Sequence, residues 1–387
     1  MREYALTFVI AAAVTYLLVP LVRRGAIAFG ATPPVRDRDV HTEPIPRLGG
    51  LAIYGGFAAA LLISAQLPHL QNVFVADTWM GLLLAGGLIT AIGVVDDRWG
   101  MGALSKLAGQ VAAAGILVSQ GVQLLWLPLP GTQLSLGPWL GAMISVLLIV
   151  VTINAVNFAD GLDGLAAGIV GISSTAFFAY YYVVAVEQGF VRQSYPAMIA
   201  IILAGTCAGF LFHNFHPARV FMGDTGSMLL GLLLTSITIT VTGQFDANTA
   251  REGFSSGLVV FLPVALPLLV IALPLADLVL AVLRRLLAGK SPFAPDRGHL
   301  HHRLLDMGHS HVRAVLLMYL WAGIVAFAAV SLSVFDSPAI VLTVTALVGV
   351  CAVGLIALPR LRRRGLLPWD RRDTVKATAD HDSSSDG

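Results

Sequence analysis

Charge is scarce in this sequence. Only 12% of its 387 residues are Asp, Glu, Lys or Arg, against about 25% in an average soluble domain. With a mean hydropathy of +0.81, this excludes an ordinary soluble protein and predicts an integral membrane protein. The formal net charge is +2, so no bulk positive field argues for a nucleic-acid partner. Cysteine is nearly absent. Cys207 and Cys351 both lie in apolar runs and read as small core residues, not as a disulfide or a thiolate zinc site. Internal repeats are missing, and so is a convincing cleavable signal. The first apolar run, 4–22, is long for a signal segment and leads into Arg23-Arg24 instead of a small-residue cleavage site.

Long apolar runs are what the chain does have. Runs of about 17 to 25 residues suffice to cross a bilayer. Eleven candidates occur, at roughly 4–22, 48–67, 79–95, 104–120, 138–157, 164–186, 195–213, 225–243, 257–286, 313–335 and 338–358. The ninth carries Pro263, Pro267 and Pro274, so a kinked or broken helix is expected there. Residues 121–137, with Leu-Pro-Leu-Pro-Gly-Thr at their centre, predict a small external hairpin. With the N-terminus outside, all 24 Lys and Arg except Arg2, Arg192 and Arg251 fall on inner segments, as the positive-inside rule requires. The expectation is an all-α polytopic membrane protein with eleven spans and a cytoplasmic C-terminus. One membrane domain covers 1–358, and a basic, then polar, disordered tail covers 359–387.

The few polar residues cluster, and this topology puts every cluster at the inner face. Asn154-Ala-Val-Asn157-Phe-Ala-Asp160-Gly-Leu-Asp163-Gly ends the fifth run. Asp160 and Asp163, three apart, share a face if helical. Asp96-Asp97 ends the third run, with Lys106 shortly after. Phe221-Met-Gly-Asp224-Thr-Gly-Ser opens the eighth, and Asp296-Arg-Gly-His299-Leu-His301-His302-Arg303 lies between the ninth and tenth. His41 and Arg47 precede the second run, in a loop that ends Pro-Ile-Pro-Arg-Leu-Gly-Gly. Each cluster also has a plain reading: Asp-Gly as a turn, paired acids as loop caps, His213 and His216 as helix-end residues, Phe221 as core. Asp277, deep in the ninth run, fits a structural pair with Arg284 or Arg285 as well as a catalytic role.

Carboxylates crowded at one interface need a counter-charge. Hard oxygen donors without thiolates suit magnesium, or manganese as the alternative. Lys106, Arg297 and Arg303 can meet anions, and the histidines beside them suit anion binding better than a metal. Adjacent Asp96 and Asp97 point about 100° apart on a helix, so one can act as base while the other orients a lysine or stabilises a helix end. Phosphoryl transfer, which rests mainly on positioning and charge neutralisation, fits this set. A transporter would hold its ionisable groups near the midplane instead.

Taken together, Pro-Ile-Pro-Arg-Leu-Gly-Gly at 44–50, Asp-Asp at 96–97, Asn-Ala-Val-Asn-Phe-Ala-Asp-Gly-Leu-Asp-Gly at 154–164, Phe-Met-Gly-Asp-Thr-Gly-Ser at 221–227 and His-Leu-His-His-Arg at 299–303 resemble the polyprenyl-phosphate N-acetylhexosamine-1-phosphate transferases. The resemblance implies a magnesium-dependent reaction at the cytoplasmic face of a bacterial plasma membrane. UDP-sugar and polyprenyl phosphate give sugar–pyrophosphoryl–polyprenol and UMP. It implies Asp163 and Asp224 as metal ligands and Asp96, Asp97 and Asp160 as catalytic groups. Lys106, Asn154, Asn157, Phe221 (against uracil), His299, His301, His302 and Arg303 are implied as substrate contacts, and a homodimer is implied by analogy. The His-Leu-His-His-Arg loop resembles the WecA/TagO-like branch, so UDP-GlcNAc is the expected donor. The alternatives are phospho-MurNAc-pentapeptide transfer of the MraY type and an anion transporter.

Overall fold

The computed structural model describes residues 1–32, 44–74, 78–129, 132–183, 194–242, six positions between 279 and 289, 304–335 and 337–363. Helices dominate. In chain order they are α1 (Arg2–Ala28), α2 (Gly49–Ser64), α3 (Thr78–Trp99), α4 (Ala103–Ser119), α5 (Pro138–Ala159), α6 (Leu165–Tyr181), α7 (Tyr195–Asn214), α8 (Gly223–Thr242), α9 (His311–Val334) and α10 (Pro338–Arg363), with a short 3-10 turn at Leu70–Val73. A helix covers each of ten expected runs. The ninth, with its prolines and Asp277, lies almost wholly outside the described residues.

Among the described residues, six helices are long and apolar enough to cross a membrane: α1, α3, α5, α7, α9 and α10. Helices α2, α4 and α6 are apolar but shorter. The hairpin also forms. β1 (Trp126–Leu129) pairs antiparallel with β2 (Thr132–Ser135), Trp126 opposite Ser135 and Leu129 opposite Thr132.

The centre of the molecule is α7 and α8, whose side chains are buried along almost their whole length. Helix α7 packs against α1, α6 and α2, and α8 packs against α3, α5 and α2. Helix α10 is the opposite case, apolar yet largely exposed, as a lipid-facing helix is. Several buried hydroxyls are satisfied inside the protein. Ser145, Ser173 and Thr235 donate to carbonyls four residues back, and Thr7 of α1 meets Ser64 of α2 at 3.0 Å.

Small residues set the closest approaches. A Cβ on Gly50 would overlap the backbone of Thr225 and Gly226, and one on Gly93 would overlap Thr225. Helices α2 and α3 therefore close directly on the first turn of α8. The chain enters α2 through Leu48 at φ 76°, the one non-glycine residue with positive φ among those described. From there Gly49 N–H donates to the Phe221 carbonyl (3.0 Å), Gly50 N–H to that of Met222 (3.1 Å), and Phe221 N–H to Pro46 (2.9 Å). The Pro-Ile-Pro-Arg-Leu-Gly-Gly motif is thus the backbone partner of the segment leading into Asp224.

Candidate active site

The polar residues gather where α3 and α5 end and α4, α6 and α8 begin. Asp97, near the end of α3, caps α8. Its Oδ1 accepts from Asp224 N–H (3.0 Å), and its Oδ2 from Thr225 N–H (3.0 Å) and Thr225 Oγ1 (2.6 Å). The first N–H groups of a helix have no partner within it, and a carboxylate there also meets the positive end of the helix dipole. Gly223, at φ 67°, gives Asp97 room, since a Cβ there would fall on the Asp97 carboxylate.

Asp96 has a different task, as a 100° separation demands. Its Oδ1 accepts from Met101 N–H (2.6 Å), and its Oδ2 pairs with Lys106 Nζ (3.0 Å). Lys106 also pairs with Asp224 Oδ2, so one ammonium group bridges two carboxylates. Asn157 Nδ2 donates to Asp224 Oδ1 and to Ser227 Oγ, both at 2.8 Å. Asp224 is therefore held from its backbone by Asp97, at one oxygen by Asn157 and at the other by Lys106.

Asp160 follows directly on α5. Burial, then the Asp97 carboxylate, pushes its carboxyl up to about 7; Arg47 opposes the rise and Asp163 adds to it. A carboxyl near 7 can take or give a proton at working pH.

Asp163 is buried. Its Oδ2 accepts from His216 Nδ1 (2.9 Å) and from Ala218 N–H (3.1 Å). Asp163 and Asp224, the two expected metal ligands, accordingly sit in different hydrogen-bonded groups. Among the described residues, the one cluster of three or more His, Cys, Asp or Glu ligand atoms is Asp163, His216 and His311, within 4.8 Å of one another. Its rings are stacked, centroids 4.4 Å apart and planes 18° from parallel. In-plane lone pairs on parallel rings do not converge, and zinc–nitrogen bonds of about 2.0–2.1 Å would leave an ion well out of one ring plane. This trio is a hydrogen-bonded assembly, not a cage for a metal.

The donors around Asp224 are of another kind. They are oxygens with no thiolate among them, and the lysine paired with Asp224 Oδ2 occupies the place where a metal cation would compete with it. That set fits a hard divalent cation.

Asn154 lies elsewhere. Its Nδ2 donates to Gln110 Oε1 of α4 (2.7 Å) and to the Val150 carbonyl (2.8 Å), which makes it a bridge between helices. Phe221 is half-buried beside the α2 entry. His41, His299, His301, His302 and Arg303 lie outside the described residues.

Several residues here carried no site role in the sequence reading. His216 is a partner of Asp163, where a simple helix-end residue was the favoured reading. Asn214, buried, accepts from Gly164 N–H (3.1 Å) and donates to the Val220 carbonyl (2.9 Å). His311 Nε2 accepts from Asp163 N–H (3.1 Å), and Tyr319 Oη donates to the Gly164 carbonyl. The polar run His213-Asn-Phe-His216, shortly before Phe221, was a usable signal. Tyr319, inside an apolar run, gave none.

Comparison with known proteins agrees with this architecture. Residues 79–242 match the family model described as glycosyl transferase family 4. The chain is 46% identical over 370 residues to the decaprenyl-phosphate N-acetylglucosaminephosphotransferase of Mycolicibacterium smegmatis, covering 94% of this chain and 90% of that protein. It is 44% identical over 373 residues to the protein of the same name from Mycobacterium tuberculosis, covering 94% and 90%. A phospho-N-acetylmuramoyl-pentapeptide-transferase of Moorella thermoacetica is 37% identical over 253 residues, covering 62% of this chain and 76% of that protein. The helical membrane fold and these relatives define a class of membrane sugar-phosphate transferases. The chain belongs to the polyprenyl-phosphate N-acetylhexosamine-1-phosphate transferase family, on its WecA/TagO-like side.

Proposed function

We propose that this protein transfers GlcNAc-1-phosphate from UDP-GlcNAc to a polyprenyl phosphate, releasing UMP, at the cytoplasmic face of a bacterial plasma membrane. The observation that carries the reading is the Lys106 bridge between Asp96 and Asp224, at the first turn of α8. It is a compact alternation of charges suited to two anionic reactants. The mycobacterial relatives align along nearly the whole chain, whereas the pentapeptide transferase aligns along less of it, and this favours UDP-GlcNAc as donor. Eleven spans, one membrane domain over 1–358, a cytoplasmic tail over 359–387 that continues α10 as far as Arg363, and a homodimer belong to the same proposal.

Asp224 would hold a magnesium ion, with Asp163 as the second candidate ligand; bound there, the ion would neutralise donor phosphate charge. The chain's own groups do the rest. Lys106 is placed to meet phosphate oxygens as it now meets carboxylates. Asp160 can accept the residual proton of the lipid phosphate, whose oxygen then attacks the β-phosphorus of the donor as the bond to UMP breaks. Asp96 keeps Lys106 aimed, and Asp97 keeps Asp224 in place. Phe221 is assigned to the uracil, Asn157 to Asp224, Asn154 to the α4–α5 bridge, and His299, His301, His302 and Arg303 to the sugar.

The test is UMP release in detergent with UDP-GlcNAc and decaprenyl phosphate. Release should stop with EDTA, return with magnesium, and be absent with UDP-MurNAc-pentapeptide. Turnover of the pentapeptide donor alone would transfer the chain to the other branch. Uptake of an anion into sealed vesicles without UMP release would make it a transporter.

A further inference from the structure

The turn joining α5 to α6, residues 160–164, closes local backbone bonds at Asp160, Gly161 and Leu162, while groups from elsewhere in the chain hold Asp163 and Gly164. Asp163 is gripped at both its main chain and its side chain. His311 Nε2, at the start of α9, accepts the Asp163 N–H at 3.1 Å, and His216 Nδ1, after α7, donates to Asp163 Oδ2 at 2.9 Å. The two imidazoles stack on each other, centroids 4.4 Å apart. One residue on, Asn214 takes the Gly164 N–H and Tyr319 of α9 donates to the Gly164 carbonyl. Gly168 lies against the Tyr319 ring so closely that a Cβ would overlap it.

His311 is itself firmly placed. Ser310 caps α9 by accepting from Arg313 N–H (3.4 Å), His309 bonds the Ile356 carbonyl of α10 (3.0 Å), and Leu304 is buried. We propose that the His216–His311 stack is a positioning clamp for Asp163, and that His311 fixes the turn carrying both Asp160 and Asp163 in the geometry the transfer needs. The proposal rests on the function proposed above and adds two residues to its machinery. A buried carboxylate whose turn is not fixed samples several rotamers, and misplacement of about 1 Å can cost a hundredfold in rate. His311 meets the turn as an acceptor, so an amide oxygen at the same reach can replace it. An apolar side chain of similar size cannot.

The test compares His311→Leu with His311→Gln in the full-length protein. His311→Leu should lower kcat at least tenfold while KM for UDP-GlcNAc changes less than threefold, and His311→Gln should recover most of kcat. His216→Ala combined with His311→Leu should be little worse than either alone, as for parts of one unit. Hydrogen–deuterium exchange provides a readout independent of turnover. The peptide spanning residues 158–168 should exchange at least tenfold faster in His311→Leu and near the wild-type rate in His311→Gln. Equal exchange in all three proteins overturns the clamp. So does equal loss of kcat in both variants with matching loss of thermal stability, which is the signature of packing alone. If wild type releases no UMP from UDP-GlcNAc, the function fails, and exchange still decides the clamp.

Discussion

Asp97→Asn isolates the link between the α3 acids and Asp224. The Asp97 carboxylate accepts three hydrogen bonds, from Asp224 N–H, Thr225 N–H and Thr225 Oγ1. Asparagine keeps one oxygen and turns an N–H₂ group towards a backbone N–H. At least one bond to a charged acceptor is lost, worth about 1.5–3 kcal/mol, and a donor then faces a donor. The atom released is the backbone nitrogen of Asp224 or Thr225, so the cost falls on the placement of the Asp224 carboxylate. At about 1.4 kcal/mol per factor of ten, affinity for a divalent ion should fall roughly ten- to a hundredfold. Manganese titration of the purified protein, followed by electron paramagnetic resonance, measures this directly. Unchanged manganese affinity together with lost turnover would refute the reasoning and place Asp97 on the substrate.

Two further outcomes follow from the same geometry. Lys106→Gln removes the cation that competes for Asp224, so manganese should bind severalfold tighter without substrate while KM for UDP-GlcNAc rises; weaker manganese binding would contradict the bridge. Asp160 has a folded carboxyl raised from 3.8 to about 7, so between these values the folded protein holds a proton that the unfolded chain has released. Metal-free stability should therefore fall as pH rises from about 4 through about 7. Asp160→Asn should flatten that fall in thermal unfolding, and an unchanged slope would remove Asp160 as its source.

The helices were legible because about twenty apolar residues in lipid have little choice but to close their own hydrogen bonds. The hairpin was legible from its Pro-Gly centre. The division of labour between Asp96 and Asp97 was foreseeable as a 100° divergence. Which acid does which was not, since that depends on where α8 starts in space. The roles of the glycines at 49, 50 and 93 needed the partner helix to be seen. His311 and Tyr319 were out of reach for the same reason. Their partners, Asp163 and Gly164, lie about 150 residues away, and nothing local marks a histidine at a helix start as the acceptor for a distant N–H. Asn154, expected as a substrate contact, also joins two helices through Gln110, a contact that nothing in its own motif announced.

The most direct measurement is manganese binding to wild type and Asp224→Asn in the presence of UDP-GlcNAc, read beside UMP release. Wild type should bind one ion whose affinity rises with the donor, and Asp224→Asn should lose both that ion and turnover. An Asp224→Asn protein that binds manganese and releases UMP as wild type does would contradict the assignment of this carboxylate cluster as the transfer site.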